Sequence, residues 1–115
     1  MSPAARASSL RLRLREEQIH APHLIDLEVT HALRRLFLTG DLRAERAREA
    51  LMDLSQFPLT RHPHYPFLER IWQLRANVTA YDAVYVALAE TLDAPLLTLD
   101  VRLTRAVAGV RVEVV

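Results

Sequence analysis

The chain has no cysteine, so no disulfide framework, thiolate metal site or cysteine nucleophile is available to it, and any metal must be held by Asp, Glu or His. Lysine is also absent, and all 15 basic residues are arginine. That bias fits a GC-rich genome, although arginine is also the better fork for phosphate. With 14 acidic residues the formal charge is only +1, which argues against a strongly basic nucleic-acid binder and leaves RNA open. Glycine occurs twice, so no Gly-rich phosphate loop can be built. No apolar run approaches the roughly 20 residues of a membrane-spanning helix. The opening stretch MSPAARASSLRLRLREE lacks the long apolar core of a signal peptide, and a cytoplasmic protein is expected.

What is present is enough for one core. Half of the 115 residues are hydrophobic and a quarter are charged, the composition of a single globular domain. Leu10 to Glu17 begin by alternating Leu with Arg, and residues 1–17 read as an arm or a remnant helix. Gln18 to Ala21 suggest a short strand, with Pro22 near the start of a helix to about Leu38. Ile25, Val29, Ala32, Leu33, Leu36 and Phe37 share a face of that helix, and Gly40 is placed to end it. Asp41 is positioned to cap a second helix over about Leu42 to Leu54, which buries Ala47, Ala50, Leu51 and Leu54. A strand is expected at Phe57 to Arg61. A third helix over Phe67 to Ala76 follows the proline-punctuated HPHYP, with Phe67 and Trp72 as core residues. The segment TAYDAVYVALAETLD predicts an amphipathic helix from about Ala80 to Leu92 whose Tyr81, Val84, Tyr85, Leu88, Ala89 and Leu92 form the buried stripe. Leu96 to Leu99 and Val110 to Val114 read as strands. Helices interleaved with brief apolar strands describe an α/β fold, a parallel sheet flanked by helices on both faces.

Three carboxylates can reach the carboxyl edge of such a sheet, where ligands collect. Glu28 flanks the apolar stripe of the first full helix. It suits a cleft rim, a solvated flank, or an ion pair with Arg35 or His31. Asp82 belongs to Thr79-Ala80-Tyr81-Asp82, which fits a capping box, so helix capping and metal binding both account for it. Asp100 follows Leu96-Leu97-Thr98-Leu99 and suits either the sheet-edge cleft or a cap of the next turn. Clustered carboxylates are the chemistry of a magnesium or manganese site that hydrolyses phosphodiesters, because these ions prefer hard oxygen ligands. Asp26 points away from Glu28, Asp41 serves as a cap, and Asp93 belongs to a turn. His62 and His64 flank Pro63 without further ligands and read as structural or surface residues.

Taken together, LIDLEVTHALRR, TAYDAVYVALAE and LLTLD resemble, in order, the PIN-domain ribonuclease toxins of bacterial VapBC toxin–antitoxin modules. The likeness covers residues 18–115, which it marks as a PIN-like domain, and it is most specific over Thr79 to Ala89, similar to a T-x-Y-D-A-x-Y-x-A-L-A signature. It implies a Mg²⁺- or Mn²⁺-dependent endoribonuclease, restrained by a VapB-like antitoxin and commonly a homodimer. By the same resemblance Asp82 is the principal metal ligand, Glu28 binds metal or positions the attacking water, and Asp100 completes the acidic pocket. Arg102 and Arg105 are either RNA-phosphate contacts or a solvated helix face.

One departure stands beside the match. Members of the family open with an apolar, central strand ending in Asp, and this chain shows neither, so it reads as N-terminally truncated relative to the family, with a native start upstream of Met1. The alternative is a catalytically impaired relative that only binds antitoxin or a partner subunit. A third class is a metal-dependent DNase built on the same acids.

Overall fold

The computed structural model describes residues 18–98 and 110–114. Strand β1 (Ile19–Pro22) leads into helix α1 (Leu24–Leu38), which turns back through α2 (Ala44–Gln56) to strand β2 (Leu59–His62). A 3-10 turn (Tyr65–Phe67) and the short α3 (Leu68–Gln73) precede α4 (Ala80–Leu92). Strands β3 (Leu96–Thr98) and β4 (Val112–Val114) complete the described part. β1 pairs with β2 and β3 with β4, both in parallel. The expected α/β class and parallel pairing are therefore observed, but as two two-stranded sheets rather than one.

α4 holds the two sheets together, because it packs against both β1 and β3. Ala83 and Val86 are fully buried, and Val84, Ala87, Leu88 and Ala89 nearly so. Val86, Ala83 and Ala89 join Leu74 and Leu96 in the core. Burying a Val or Leu side chain contributes about 1.5–3 kcal/mol, so this helix anchors the fold. Its ends are well terminated. The Thr79 hydroxyl accepts from the Asp82 N–H at 3.2 Å. At the other end Asp93 takes the left-handed conformation (φ 49°), with Ala94 N–H donating to the Ala89 carbonyl and Asp93 N–H to that of Glu90, a Schellman motif. Arg70 of α3 reaches both carboxylate oxygens of Glu90 at 2.8 and 2.9 Å.

Between β1 and β3 lies a cavity of about 460 Å³. Gln18 to Ala21 bound it on one side and Ala94 to Leu97 on the other. Tyr85, Leu88 and Leu92 of α4 line it, as do Ile25 and Val29 of α1 and Leu54 and Phe57 near the end of α2. Among the described residues no strand occupies this gap, and the facing edges of β1 and β3 have no ladder partner there.

Several expectations shift. The first strand shifts by one residue, to Ile19–Pro22, and α1 begins just beyond it at Leu24, with Pro22 near the helix start as expected. Gly40, at φ +82°, closes α1 as expected, through Asp41 N–H to the Leu36 carbonyl and Gly40 N–H to that of Phe37. Asp41 is thereby used in the turn, accepting from the Thr39 hydroxyl, and α2 starts later, at Ala44, with no side-chain cap. Leu36, Phe37, Tyr81 and Leu92, assigned to apolar stripes, are exposed. So is Trp72, because α3 is too short to bury both faces and the indole instead stacks under the Arg75 guanidinium at 4.4 Å. Residues 1–17, read as an arm or remnant helix, lie outside the described residues.

Candidate active site

α1 and α4, which both line the gap, each carry one sequence-selected carboxylate. Glu28 stands one turn into α1 and Asp82 in the first turn of α4. Both are exposed. The third, Asp100, lies outside the described residues, as do Arg102 and Arg105.

Glu28 does not pair with Arg35 or His31. Its Oε1 accepts from the Tyr85 hydroxyl at 2.5 Å, a bond between helices 57 residues apart in sequence. Tyr85 is one helical turn beyond Asp82, so the two share a face of α4. Burial pushes the Tyr85 phenol well above its ordinary range. The hydrogen bond to Glu28 and the charges of Glu28, Asp82 and Asp26 add to the shift, so the phenol remains a donor at neutral pH. The charges of both candidate ligands therefore bear on one phenol.

Only half of the capping box at Thr79 forms. Thr79 caps through its hydroxyl, whereas the Asp82 carboxylate makes no return bond and accepts from no described residue. The cap uses Asp82's backbone, leaving its side chain free near the positive end of the helix dipole, which favours an anion. Asp26 is occupied: both oxygens accept from Arg61 at 2.8 Å, and Arg61 also reaches the Leu54 carbonyl at 3.4 Å. That bond holds the Asp26 carboxyl below the usual range.

The histidines are placed structurally. His64 Nε2 accepts from the Leu24 N–H at 2.9 Å and satisfies a donor in the first turn of α1. His20 Nδ1 and His62 Nε2 are 2.9 Å apart across the β1–β2 pair. Among the described residues no three His, Asp or Glu side chains are grouped to hold a metal. The donor set of Glu28 and Asp82 still fits a hard cation in kind, as two carboxylates to which no positive side chain among the described residues is bonded.

Sequence reasoning missed Tyr85, which it assigned to the apolar stripe. The available signal was its i, i+3 spacing from Asp82: a phenol beside a carboxylate in an otherwise aliphatic stripe needs a partner for its hydroxyl.

Comparison with known proteins identifies the family. The PIN domain family model matches residues 2–109. Ribonuclease VapC1 of Mycobacterium tuberculosis is 53% identical over 103 residues, covering 89% of this chain and 77% of the relative. Ribonuclease VapC9 of the same species is 48% identical over 88 residues, with 76% and 69% covered. Ribonuclease VapC3 is 43% identical over 101 residues, with 88% and 74% covered. The family match spans nearly the whole chain, and each relative is covered over more than two thirds of its length, so the chain belongs to the PIN-domain family, in its VapC branch.

Proposed function

We propose that this chain is the toxin of a VapBC-type toxin–antitoxin pair, a metal-dependent endoribonuclease that cuts RNA phosphodiesters in the cytoplasm and is restrained by a VapB-like antitoxin. The named ribonucleases to which it is similar supply the substrate class. The structural observation that supports the site is Asp82, whose backbone serves the helix cap while its carboxylate accepts from none of the described residues.

In this reading Asp82 and Glu28 hold Mg²⁺ or Mn²⁺ with Asp100. An ion held there would supply Lewis-acid chemistry, activation of a water and stabilisation of the leaving oxygen. Asp82 contributes charge at the positive end of α4. Glu28, fixed by Tyr85, offers its second oxygen to the ion or to the attacking water. Arg102 and Arg105 follow Asp100 closely enough in sequence to meet the RNA backbone. Two copies of the chain form a homodimer.

Single-stranded RNA and DNA of one sequence, incubated with the chain and Mn²⁺ or Mg²⁺, test the reading. RNA cleavage is expected, lost with EDTA and reduced at least about 100-fold by Asp82→Asn. Equal cutting of DNA, or an unaffected Asp82→Asn protein, would refute it. A chain that binds antitoxin but cuts nothing would favour the binding-only alternative.

A further inference from the structure

We propose that Tyr85 is a positioning residue for Glu28, fixing one carboxylate oxygen so that the other faces the metal already oriented. The proposal rests on the assignment of Glu28 to the site above. Three observations carry it.

First, the bond joins two separate helices. The Tyr85 hydroxyl of α4 donates to Glu28 Oε1 of α1 at 2.5 Å. A glutamate on an exposed helix face otherwise samples many rotamers, and each must be suppressed before its carboxylate can act as a ligand. The phenol has only two side-chain torsions and is half-buried against the gap, so it restrains its partner effectively.

Second, α4 cannot rotate. Ala83 and Val86, which flank Tyr85 on the helix, are fully buried, and Val84 nearly so. The direction of the phenol is therefore set by the core, and so is that of Asp82 one turn before it. One rigid element thus carries a candidate ligand and the group that orients a second.

Third, the donor is neutral. A lysine or arginine bonded to Glu28 would orient it equally well but would repel a divalent cation. Arg61 pairs with Asp26, two residues before Glu28 in α1, and not with Glu28. A phenol orients the carboxylate and leaves its charge for the metal. Hydrogen-bond partners of metal ligands typically account for 10- to 100-fold in metal affinity.

Calorimetric Mn²⁺ binding and Mn²⁺-dependent RNA cleavage, measured on wild type, Tyr85→Phe, Glu28→Gln and the double variant, test this. Tyr85→Phe is expected to weaken Mn²⁺ binding about tenfold. The cleavage rate at saturating Mn²⁺ should stay within about threefold of wild type, a split between metal affinity and turnover that a merely structural loss would not produce. In the Glu28→Gln background Tyr85→Phe should add little, since it acts through Glu28. Wild-type Mn²⁺ affinity in Tyr85→Phe, with Glu28→Gln weakened, would overturn the positioning role alone. An equal loss from Tyr85→Phe in both backgrounds would do the same. Unchanged Mn²⁺ affinity in Glu28→Gln would instead remove Glu28 from the site, and this proposal with it.

Discussion

Replacing Thr79 with alanine separates the two roles that the sequence left superimposed at Asp82. The perturbation removes one acceptor, the hydroxyl that takes the Asp82 N–H at 3.2 Å, and leaves the core face of α4 untouched. Losing an N-cap hydroxyl costs about 0.5–2 kcal/mol. The bond here is long and solvent-exposed, which puts the expectation near 1 kcal/mol, or a fall of about 4 °C in midpoint for a domain of this size. Thr79→Ser, which keeps the acceptor, should stay within about 0.3 kcal/mol of wild type. Asp82→Asn should behave in the opposite way. It keeps the backbone N–H that the cap uses and forfeits only a helix-dipole interaction of about 0.3–1 kcal/mol, while cleavage is lost. Thermal unfolding followed by circular dichroism, paired with RNA cleavage well below the midpoint, reads both axes. Thr79→Ala should be the less stable but active protein, and Asp82→Asn the more stable but inactive one. The reasoning fails if Asp82→Asn costs clearly more stability than Thr79→Ala, because the carboxylate would then be a structural part of the cap.

Two further outcomes follow from partners already described. Asp26 is held below its ordinary range by Arg61, so it contributes stability that is complete above about pH 4 and is lost as the pH falls through the folded-state value. Asp26→Asn should therefore lower the midpoint at pH 7 and leave it nearly unchanged near pH 2; a loss of the same size at both would contradict the ion-pair account. His64→Ala removes the acceptor for the Leu24 N–H and should cost about 1 kcal/mol in urea denaturation, with amide exchange rising first at the start of α1; protection unchanged there would refute the capping role.

Much of this was legible beforehand, for reasons that differ from element to element. α4 was readable because a capping signal, a 3.6-residue apolar stripe and a stop coincide within thirteen residues, although of the expected stripe only Val84, Leu88 and Ala89 are buried, beside Ala83, Val86 and Ala87. The close of α1 was readable because Gly40 suits a left-handed residue. Trp72 was misjudged because an apolar side chain says nothing about whether its helix is long enough to have an inner face. Pro22 was rightly placed near the start of α1, while its inclusion in β1 depends on pairing with β2, which no local pattern encodes. At the candidate site the carboxylates Glu28 and Asp82 were identified individually. The bond between Glu28 and Tyr85 was not, since it depends on how α1 and α4 lie across the gap, a tertiary relation no local pattern encodes.

The gap between β1 and β3 also determines how the protein should respond to compression. Pressure favours whichever state occupies less volume, and internal voids eliminated on unfolding make up much of that difference. The gap opens to solvent, so only those apolar recesses of it that water does not enter count toward that difference. Because Tyr85 stands in the cavity wall while bonded to Glu28, squeezing the molecule acts on the same helix that carries the candidate ligand.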